Sequence, residues 1–286
     1  MRLCIRNAWI YGEDFQFHKG SVHVTGEQIS GFDLPVVEGE RIVEGEGCYV
    51  IPGLADIHFH GCMGMDFSDA TYENLEKIVT YERMNGITTI CPTTMTLPIE
   101  QLERIAYLVR EYEEKNPEVL AGMNLEGPFL SKDKCGVQAP EYCCAPDVSV
   151  FNRLWEMSGG AIRLITVAPE LKEAMPFIEE AAKKTVVALG HSAADYHTAT
   201  EAFFHGASHV THLYNGMNVW NHRESGIPGA AFDQEAITVE LICDGNHLHP
   251  SVIRSAWRQY GDDKIVLVSD STMATGLPDG VYTLGG

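Results

Sequence analysis

The sequence predicts an α/β protein whose larger part is a (β/α)8 barrel of the TIM type. From about residue 51 onward, short apolar segments alternate with amphipathic segments of helical period, which is typical of parallel strands covered on their outer side by helices. Eight apolar segments of this kind occur, and eight parallel strands close such a barrel. The 286 residues are also enough for one barrel of roughly 250 residues.

The amino-terminal residues follow a different pattern and are predicted to form a separate small β-domain. Short runs with alternating apolar residues recur at 3–5, 8–10, 21–24 and 41–43. Glycine and acidic residues lie between them, a pattern typical of short antiparallel strands joined by hairpins. We therefore expect a β-domain over residues 1–50 and the barrel over residues 51–286.

The barrel strands are predicted from the apolar runs, and the helices from the residues between them. The strands are expected at 54–58, 87–91, 119–125, 161–167, 185–190, 208–213, 236–242 and 264–269. The segments 72–84 and 99–113 each place their apolar residues on one helical face. Further helices are predicted at 149–158, 172–184, 195–205 and 250–260.

The charge balance argues against some classes of partner. The chain has 40 acidic and 20 basic side chains, a formal net charge of −20 at pH 7. Binding to nucleic acid or to an anionic membrane depends on lysine and arginine, so neither partner is expected. The amino terminus lacks the apolar run of a secretory signal, and the eight cysteines form no CxxC pair. We therefore expect a cytoplasmic protein with reduced thiols.

Histidine and carboxylate side chains follow five of the eight predicted strands. In a (β/α)8 barrel the active site lies at the mouth formed by the carboxyl ends of the strands. His58 and His60 alternate in an extended segment and therefore point the same way. The full set is His58, His60, Glu126, His191, His212 and Asp270. Imidazole and carboxylate groups together are usual ligands of Zn²⁺ or Fe²⁺, so the sequence predicts a metal centre at this mouth.

The remaining histidines receive less specific interpretations. His18 and His23 are expected on the surface of the small domain, and His209 in a core or surface position. His249 precedes a proline at a predicted helix start and is expected to cap that helix. His247 follows the seventh strand, a position from which its side chain could face the mouth.

One segment at the start of the barrel, IPGLADIHFHG at residues 51–61, resembles the opening signature of the amidohydrolase superfamily. More specific segments are LEGPF at 125–129, GHS at 190–192, HLYNGM at 212–217 and DST at 270–272. Together they resemble the N-acetylglucosamine-6-phosphate deacetylase family within that superfamily. The resemblance implies hydrolysis of N-acetylglucosamine 6-phosphate to glucosamine 6-phosphate and acetate.

The resemblance also implies roles for the residues at the barrel mouth. Glu126, His191 and His212 match the main metal ligands of the family, and His58 and His60 match a second metal position. The implied cofactor is Zn²⁺ or Fe²⁺, one or two ions per subunit. Asp270 matches the acid/base that accepts a proton from the attacking water and passes it to the leaving amine.

The resemblance further implies a phosphorylated amino-sugar substrate and a homodimer whose active-site contacts cross between subunits. The matching substrate-binding residues are Val137, Gln138, Asn215, Gly216, Arg223 and His247. Arg223 offers the planar fork that suits a phosphate, while pairing of Arg223 with Glu224 is the simpler alternative. A few such groups would let an acidic chain bind an anionic sugar.

Three alternatives remain at this point. The substrate could be another N-acetylhexosamine 6-phosphate, such as N-acetylgalactosamine 6-phosphate, or a cyclic amide, or the chain could be a catalytically silent sugar-phosphate binder. Relatives that hydrolyse cyclic amides often hold a carboxylated lysine between two metals, and Glu126 takes that place here. Family members also continue well past residue 286. Their tails supply the last barrel helix and the remaining strands of a small β-sandwich, so residues 1–50 are expected to be only the amino-terminal part of that sandwich.

Overall fold

The first unit of the chain is a five-stranded mixed sheet. A computed structural model describes residues 1–284, and the contacts divide the chain into Met1–Leu54 and Ala55–Gly286. The strands of the first unit are β1 (Arg2–Tyr11), β2 (Phe17–Thr25), β3 (Gln28–Phe32), β4 (Arg41–Glu44) and β5 (Tyr49–Val50). β1 pairs with β2, and β2 with β3, in the antiparallel sense that the sequence predicts.

The prediction that this unit contains only antiparallel hairpins is wrong for two of its strands. β4 and β5 both run parallel to β1, on the edge opposite β2. The linker at 33–40 allows β4 to pair with β1 in the parallel sense, because it leads the chain away from β3 instead of forming a hairpin with it. Local alternation of apolar residues predicts that a segment is a strand, but not which neighbour that strand pairs with.

The predicted surface position of His23 in the first unit is also wrong. Only 3% of the residue is exposed. Its Nδ1 lies 2.8 Å from Oε1 of Glu40, which the 33–40 linker carries over the sheet, and its Nε2 contacts the Cys4 thiol. The linker therefore covers a position that strand alternation alone assigns to solvent.

The second unit is built on eight parallel strand positions, as the sequence predicts. The strands are β6 (Leu54–Asp56), β7 (Gly61–Cys62), β8 (Met65–Asp66), β9 (Ile87–Ile90), β10 (Thr93–Thr94), β11 (Met123–Glu126), β12 (Ile162–Val167), β13 (Val186–Leu189), β14 (His209–Val210), β15 (Thr238–Ile242) and β16 (Ile265–Val268). β10 to β16 form one parallel sheet in chain order. β6 pairs with β9, which together with β10 forms the second strand position, and β7 and β8 form a small hairpin.

Backbone hydrogen bonds close the ring of strands at the carboxyl ends. The Asp270 N–H donates to the His58 carbonyl at 2.9 Å, and the His60 N–H donates to the Ser271 carbonyl at 2.7 Å. On the other side of the first strand, the Thr93 N–H donates to the Phe59 carbonyl at 2.8 Å. The first and eighth strand positions are thereby joined, and the predicted (β/α)8 barrel is confirmed.

Seven α-helices and one short 3-10 helix connect the strands within residues 1–284. They are α1 (Tyr72–Met84), α2 (Ile99–Lys115), α3 (Val148–Met157), α4 (Ala174–Ala181), α5 (Tyr196–Phe204), α6 (Gly226–Phe232) and α7 (Pro250–Tyr260), with the 3-10 helix at Phe67–Asp69. The predicted bounds of α1 and α7 are confirmed, as is the cap of α7, where His249 accepts from the Ser251 N–H. None of the helices in this described part has the length and apolarity that crossing a membrane requires.

The sequence did not predict α6, because its segment GIPGAAF contains two glycines and a proline. Pro228 lies in the first turn of the helix, where its missing N–H costs no intrahelical hydrogen bond. Six of the seven residues are buried, and the helix packs against α5. Tertiary packing therefore stabilises a helix that its propensities disfavour.

A buried carboxyl on α1 provides a test of the fold away from the barrel mouth. Glu82 is only 6% exposed, and burial, together with the nearby charge of Asp56, raises its pKa from 4.5 to about 7. In the unfolded chain the carboxyl ionises near its ordinary value, so the fold loses stability as the pH rises from about 4.5 to about 7. We expect Glu82→Gln to stabilise the protein by about 1–2 kcal/mol above pH ~7, and by much less at pH ~4.

Urea unfolding of this variant at both pH values measures the effect. Glu235→Gln, the same chemical change at an exposed position, is the matched control and should show neither the gain nor its pH dependence. A stability gain for Glu82→Gln that is independent of pH would contradict the account.

Candidate metal centre and active site

The structure brings the six polar residues predicted at the strand ends into one cluster. Each lies at or just beyond the carboxyl end of a different strand position, except His58 and His60, which share the first. His58 and His60 follow β6, Glu126 ends β11, His191 follows β13, His212 follows β14 and Asp270 follows β16. Because parallel strands all end on the same side of the barrel, these side chains converge at its mouth.

Glu126 lies at the centre of this cluster and faces four imidazoles. Its Oε1 lies 3.0 Å from His191 Nε2, 2.9 Å from His212 Nε2 and 3.4 Å from His58 Nε2. Its Oε2 lies 3.3 Å from His60 Nε2. The glutamate is 2% exposed, so water contributes little to solvating its charge. Removal of this carboxylate would affect every imidazole of the cluster.

Asp270 lies on the more accessible side of the cluster. Its Oδ1 lies 3.3 Å from His60 Nε2 and 3.6 Å from His58 Nε2. The side chain is 19% exposed, against 2% for Glu126. A molecule entering the mouth can therefore reach the Asp270 carboxylate, whereas the Glu126 carboxylate is enclosed.

Three residues of the cluster have an unusual backbone conformation. His191, His212 and Asp270 have φ values of 46°, 25° and 47°, in the left-handed region that side chains other than glycine rarely adopt. Such conformations cost about 1–3 kcal/mol each and persist where the surrounding structure enforces them. Because all three residues lie at the barrel mouth, we infer that the surrounding structure holds these side chains in position at a cost in folding stability.

Three imidazoles have one ring nitrogen held by an acceptor and the other directed inward. His60 Nδ1 donates to the Thr93 carbonyl at 3.1 Å, and His191 Nδ1 donates to the Lys134 carbonyl at 2.8 Å. His58 Nδ1 donates to Glu240 Oε2 at 2.8 Å. These bonds leave each Nε2 facing Glu126. Such outward hydrogen bonds are typical of histidines that ligate metals.

The cluster fits a divalent metal ion by its donor set. The groups His58–His60–Glu126, Glu126–His191–His212 and His58–His212–Asp270 each bring their ligand atoms within 4.8 Å of one another. Within residues 1–284, the buried Nε2 of His58 has no hydrogen-bond partner, which is costly for a polar atom unless something else binds it. Imidazole nitrogens and carboxylate oxygens form a typical catalytic ligand set.

The charges within the cluster shift its pKa values strongly. Burial alone would lower the pKa of His60, but hydrogen bonds with Asp270 and Glu126 raise it to about 10. Burial alone would raise the pKa of Asp270, but the charge of His58 and the hydrogen bond with His60 lower it to about 2. His58 and His191 similarly hold the pKa of Glu126 well below its ordinary value, against the effect of burial. Both carboxylates are therefore anions at neutral pH.

Three of the six predicted substrate-binding residues, Gln138, Asn215 and Gly216, lie next to the cluster. Gln138 is buried, and its Nε2 donates to Glu126 Oε2 at 2.6 Å while its Oε1 accepts from the Thr96 N–H at 2.6 Å. Val137 beside it is 75% exposed. Asn215 donates to the His212 carbonyl, and a Cβ at Gly216 would lie 3.0 Å from the His191 ring. The Gln138 side chain is thus engaged with Glu126 itself.

Arg223 and His247 are not in contact with the cluster. The Arg223 side chain is exposed, and His247 Nδ1 bonds to Asp244 Oδ2 at 2.8 Å. His247 lines a cavity of about 510 Å³ together with Tyr214 and Trp220, whose rings stack. The substrate-binding roles of both residues stay predictions.

Glu240 is the main residue of the site that the sequence analysis missed. It lies in β15, is fully buried, and contacts His58, His209 and His212. Burial alone would raise its pKa, but the charge of His58 and the hydrogen bond with His209 hold it well below its ordinary value. The signal available in the sequence was one acidic residue inside the apolar run TVELI, since a buried carboxylate requires partners.

The hydrogen bond between Gln138 and Glu126 leads to a testable prediction. Gln138→Ala removes the hydrogen bond that orients Glu126, so we expect metal affinity to fall about 10-fold, the lower end of the usual cost of losing such a partner. Competition with a chelator measures this affinity. Gln101→Ala is the matched control, since it loses a comparable 2.9 Å bond to the Ser68 carbonyl away from the mouth. Equal affinities in both variants would refute the role of Gln138.

Comparison with known proteins shows the class of this fold and site. Residues 49–278 match the amidohydrolase family, which is most of the chain, and the chain belongs to that family. It is 35% identical over 243 residues to the N-acetylglucosamine-6-phosphate deacetylase of Bacillus subtilis (strain 168). It is 32% identical over 256 residues to the N-acetylgalactosamine-6-phosphate deacetylase of Escherichia coli O157:H7, covering 88% of this chain and 67% of that protein.

A solved structure indicates which group within the amidohydrolase family this chain is similar to. The structure of a variant N-acetyl-D-glucosamine-6-phosphate deacetylase from Mycobacterium smegmatis, in complex with N-acetyl-D-glucosamine 6-phosphate, superposes with a TM-score of 0.91 at 30% identity. The match covers 100% of this chain and 74% of that one. Within the amidohydrolases, the chain thus falls in the N-acetylglucosamine-6-phosphate deacetylase family. The chain spans 61% of the length of the Bacillus subtilis relative, and that match covers 83% of this chain.

Proposed function

We propose that this protein is a metal-dependent deacetylase that hydrolyses N-acetylglucosamine 6-phosphate to glucosamine 6-phosphate and acetate. The observation that carries the proposal is the enclosed Glu126 carboxylate facing four imidazoles, with the Asp270 carboxylate on the accessible side. A fold of this type hosts many activities, so the residues of the site, and not the barrel, indicate the reaction. The names of the Bacillus subtilis and Mycobacterium smegmatis relatives support this reaction, and the name of the Escherichia coli relative supports deacetylation of a related sugar phosphate.

The proposed cofactor is Zn²⁺ or Fe²⁺, one or two ions per subunit. Glu126, His191 and His212 would hold one ion, and His58 and His60, with Glu126 shared, would hold a second. When bound, such an ion lowers the pKa of a water molecule toward about 7 and polarises a carbonyl. The donor set accepts either metal.

Asp270 is proposed to move the proton in the reaction. The attacking water forms a bond from its oxygen to the acetyl carbon, and the Asp270 carboxylate takes up the proton that the water gives away. When the C–N bond breaks, Asp270 passes that proton to the leaving nitrogen, because an amine leaves poorly unless it is protonated. Its partial exposure and its contacts with His60 and His58 support this role.

The substrate is proposed to bind over the loops that carry Val137, Gln138, Asn215 and Gly216. Arg223 is proposed to bind the phosphate, with His247, in a homodimer whose subunits share contacts at the site. Glu224, the carboxylate that could neutralise Arg223, instead accepts hydrogen bonds from the backbone N–H groups of Tyr196 and Gly226. This engagement leaves the exposed Arg223 guanidinium accessible to an anion.

The eight cysteines are all unpaired, which fits the proposed cytoplasmic location.

Acetate release on a panel of N-acetyl sugars tests the proposed function. The panel contains N-acetylglucosamine and N-acetylgalactosamine, each with and without the 6-phosphate. We expect the highest kcat/KM with N-acetylglucosamine 6-phosphate. Preference for the galacto sugar would support the alternative substrate, the one that appears in the name of the Escherichia coli relative. Absence of acetate release with every sugar, despite bound metal, would support a catalytically silent binder.

Arg223→Ala is expected to act through the phosphate. We expect KM for the phosphorylated sugar to rise about 10- to 100-fold with little change in kcat, since a charge-assisted hydrogen bond contributes about 1.5–3 kcal/mol. Steady-state kinetics on the phosphorylated and unphosphorylated sugars measures the effect. Arg254→Ala, at an exposed position on α7, is the matched control. An equal effect of Arg223→Ala on both sugars would refute the phosphate assignment.

A further inference from the structure

The buried carboxylate of Glu240 connects two of the histidines at the barrel mouth. It lies in β15 and has no exposed surface. Its Oε2 accepts from His58 Nδ1 at 2.8 Å and from the backbone N–H of His212 at 2.9 Å. One oxygen on the seventh strand position therefore holds a side chain from the first strand and a main-chain group from the sixth.

The other oxygen of Glu240 is also engaged. Oε1 lies 3.1 Å from His209 Nε2, and His209 Nδ1 lies 2.6 Å from the Thr238 hydroxyl. With Nε2 of His209 donating to Glu240, Nδ1 accepts from that hydroxyl. The carboxylate is thereby held from both sides and cannot rotate away from His58 without losing a hydrogen bond.

These contacts determine how His58 is presented to the cluster. An ionised carboxylate can only accept hydrogen bonds, so the His58 nitrogen that faces Glu240 must carry a proton. The remaining Nε2 is then the nitrogen whose lone pair is available as a ligand, and it lies toward Glu126 and Asp270. A hydrogen bond at Nδ1 fixes both the tautomer and the ring orientation of a ligating histidine.

We propose that Glu240 is a positioning residue of the metal centre, which fixes the tautomer and orientation of His58 and so raises the affinity of the cluster for a divalent cation. This inference rests on the proposed metal site. It assigns Glu240 a role that acts through His58 and not through contact with substrate. A purely structural buried carboxylate would instead affect folding stability alone.

Two substitutions separate acceptor chemistry from packing. Glu240→Leu removes every acceptor at this position. Glu240→Gln keeps an amide oxygen for His58 and His212, and its NH₂ group can donate to His209 if that ring moves its proton to Nδ1, where the Thr238 hydroxyl can accept it. We therefore expect the glutamine to rescue most of the function that the leucine loses.

Zinc affinity, measured by competition with a chelator, is the primary readout. We expect binding to be about 10- to 100-fold weaker in Glu240→Leu, and weakened by a smaller factor in Glu240→Gln. Thermal unfolding of the metal-free variants provides the structural readout. Tyr260→Phe is the control, because it removes a buried hydrogen bond to the Pro228 carbonyl away from the mouth. The control should lower stability while leaving zinc affinity unchanged.

Each outcome decides the proposal. Wild-type zinc affinity in folded Glu240→Leu would overturn it, even if the variant were less stable. If the leucine variant does not fold, Glu240→Asp decides, because the shorter side chain keeps the charge but withdraws the carboxylate from His58: weaker zinc binding supports the proposal and unchanged binding overturns it. Failure of the unaltered chain to bind either Zn²⁺ or Fe²⁺ would overturn the proposed function and this inference with it. If the unaltered chain binds zinc and the folded variants bind it equally well, only this inference is overturned.

Discussion

Asp270→Asn is expected to lower kcat by about 10³-fold, within the 10²–10⁴-fold range of general acid–base catalysis. The amide has almost the same shape as the carboxylate but cannot accept a proton at neutral pH. The carboxylate lies at the accessible edge of the cluster, 3.3 Å and 3.6 Å from two ring nitrogens, while Glu126 occupies the centre. We therefore expect the metal content of the variant to stay close to that of the unaltered protein.

Elemental analysis and acetate-release kinetics on the same preparation measure both quantities. Asp263→Asn, the same chemical change at an exposed position, is the matched control and should leave both unchanged. Full turnover by Asp270→Asn would refute the acid/base role. Loss of both metal and turnover would instead make Asp270 primarily a ligand.

Glu126→Gln is expected to remove the metal as well as the activity. The substitution removes the negative charge that faces four imidazoles. The neutral amide that takes its place is a weaker ligand for a cation than a carboxylate. Loss of a hydrogen-bonding partner outside the ligand set already costs 10–100-fold in affinity, so loss of this central ligand should cost more than about 100-fold. Turnover should fall with metal content.

Thermal unfolding gives an independent readout of this loss. A ligand at 100 times its Kd stabilises the folded state by about 2.7 kcal/mol, so zinc should raise the Tm of the unaltered protein and have little effect on Glu126→Gln. Glu103→Gln, which breaks an ion pair with Arg153 away from the mouth, is the matched control and should keep the zinc-dependent rise. A normal rise in Glu126→Gln would contradict the central position of this carboxylate.

The barrel was predictable because its signals are local. A strand buried on both faces requires a continuous apolar run, and the helix that follows it requires an apolar stripe of helical period. Those two patterns repeat along residues 51–286, and α1 has the bounds that its apolar stripe predicts. Convergence of the polar residues at the strand ends then follows from parallel strands having a common direction, without knowledge of any individual contact.

The features that escaped prediction depend on contacts between segments far apart in the chain. Glu240 lies inside an apolar strand, and its partner His58 is 182 residues away. His23 is buried because a linker brings Glu40 over it, and β4 runs parallel to β1 because of the path of that same linker. The helix α6 is stabilised by burial against its propensity. Local patterns contain no information about these pairings.

The most direct test of the account is acetate release from N-acetylglucosamine 6-phosphate before and after removal of metal from the same protein. We expect the unaltered protein to release acetate. Chelator treatment followed by removal of the chelator should abolish release, and added Zn²⁺ or Fe²⁺ should restore it in proportion to the metal bound. Undiminished acetate release by metal-free protein would contradict the claim that the Glu126 cluster works as a metal centre.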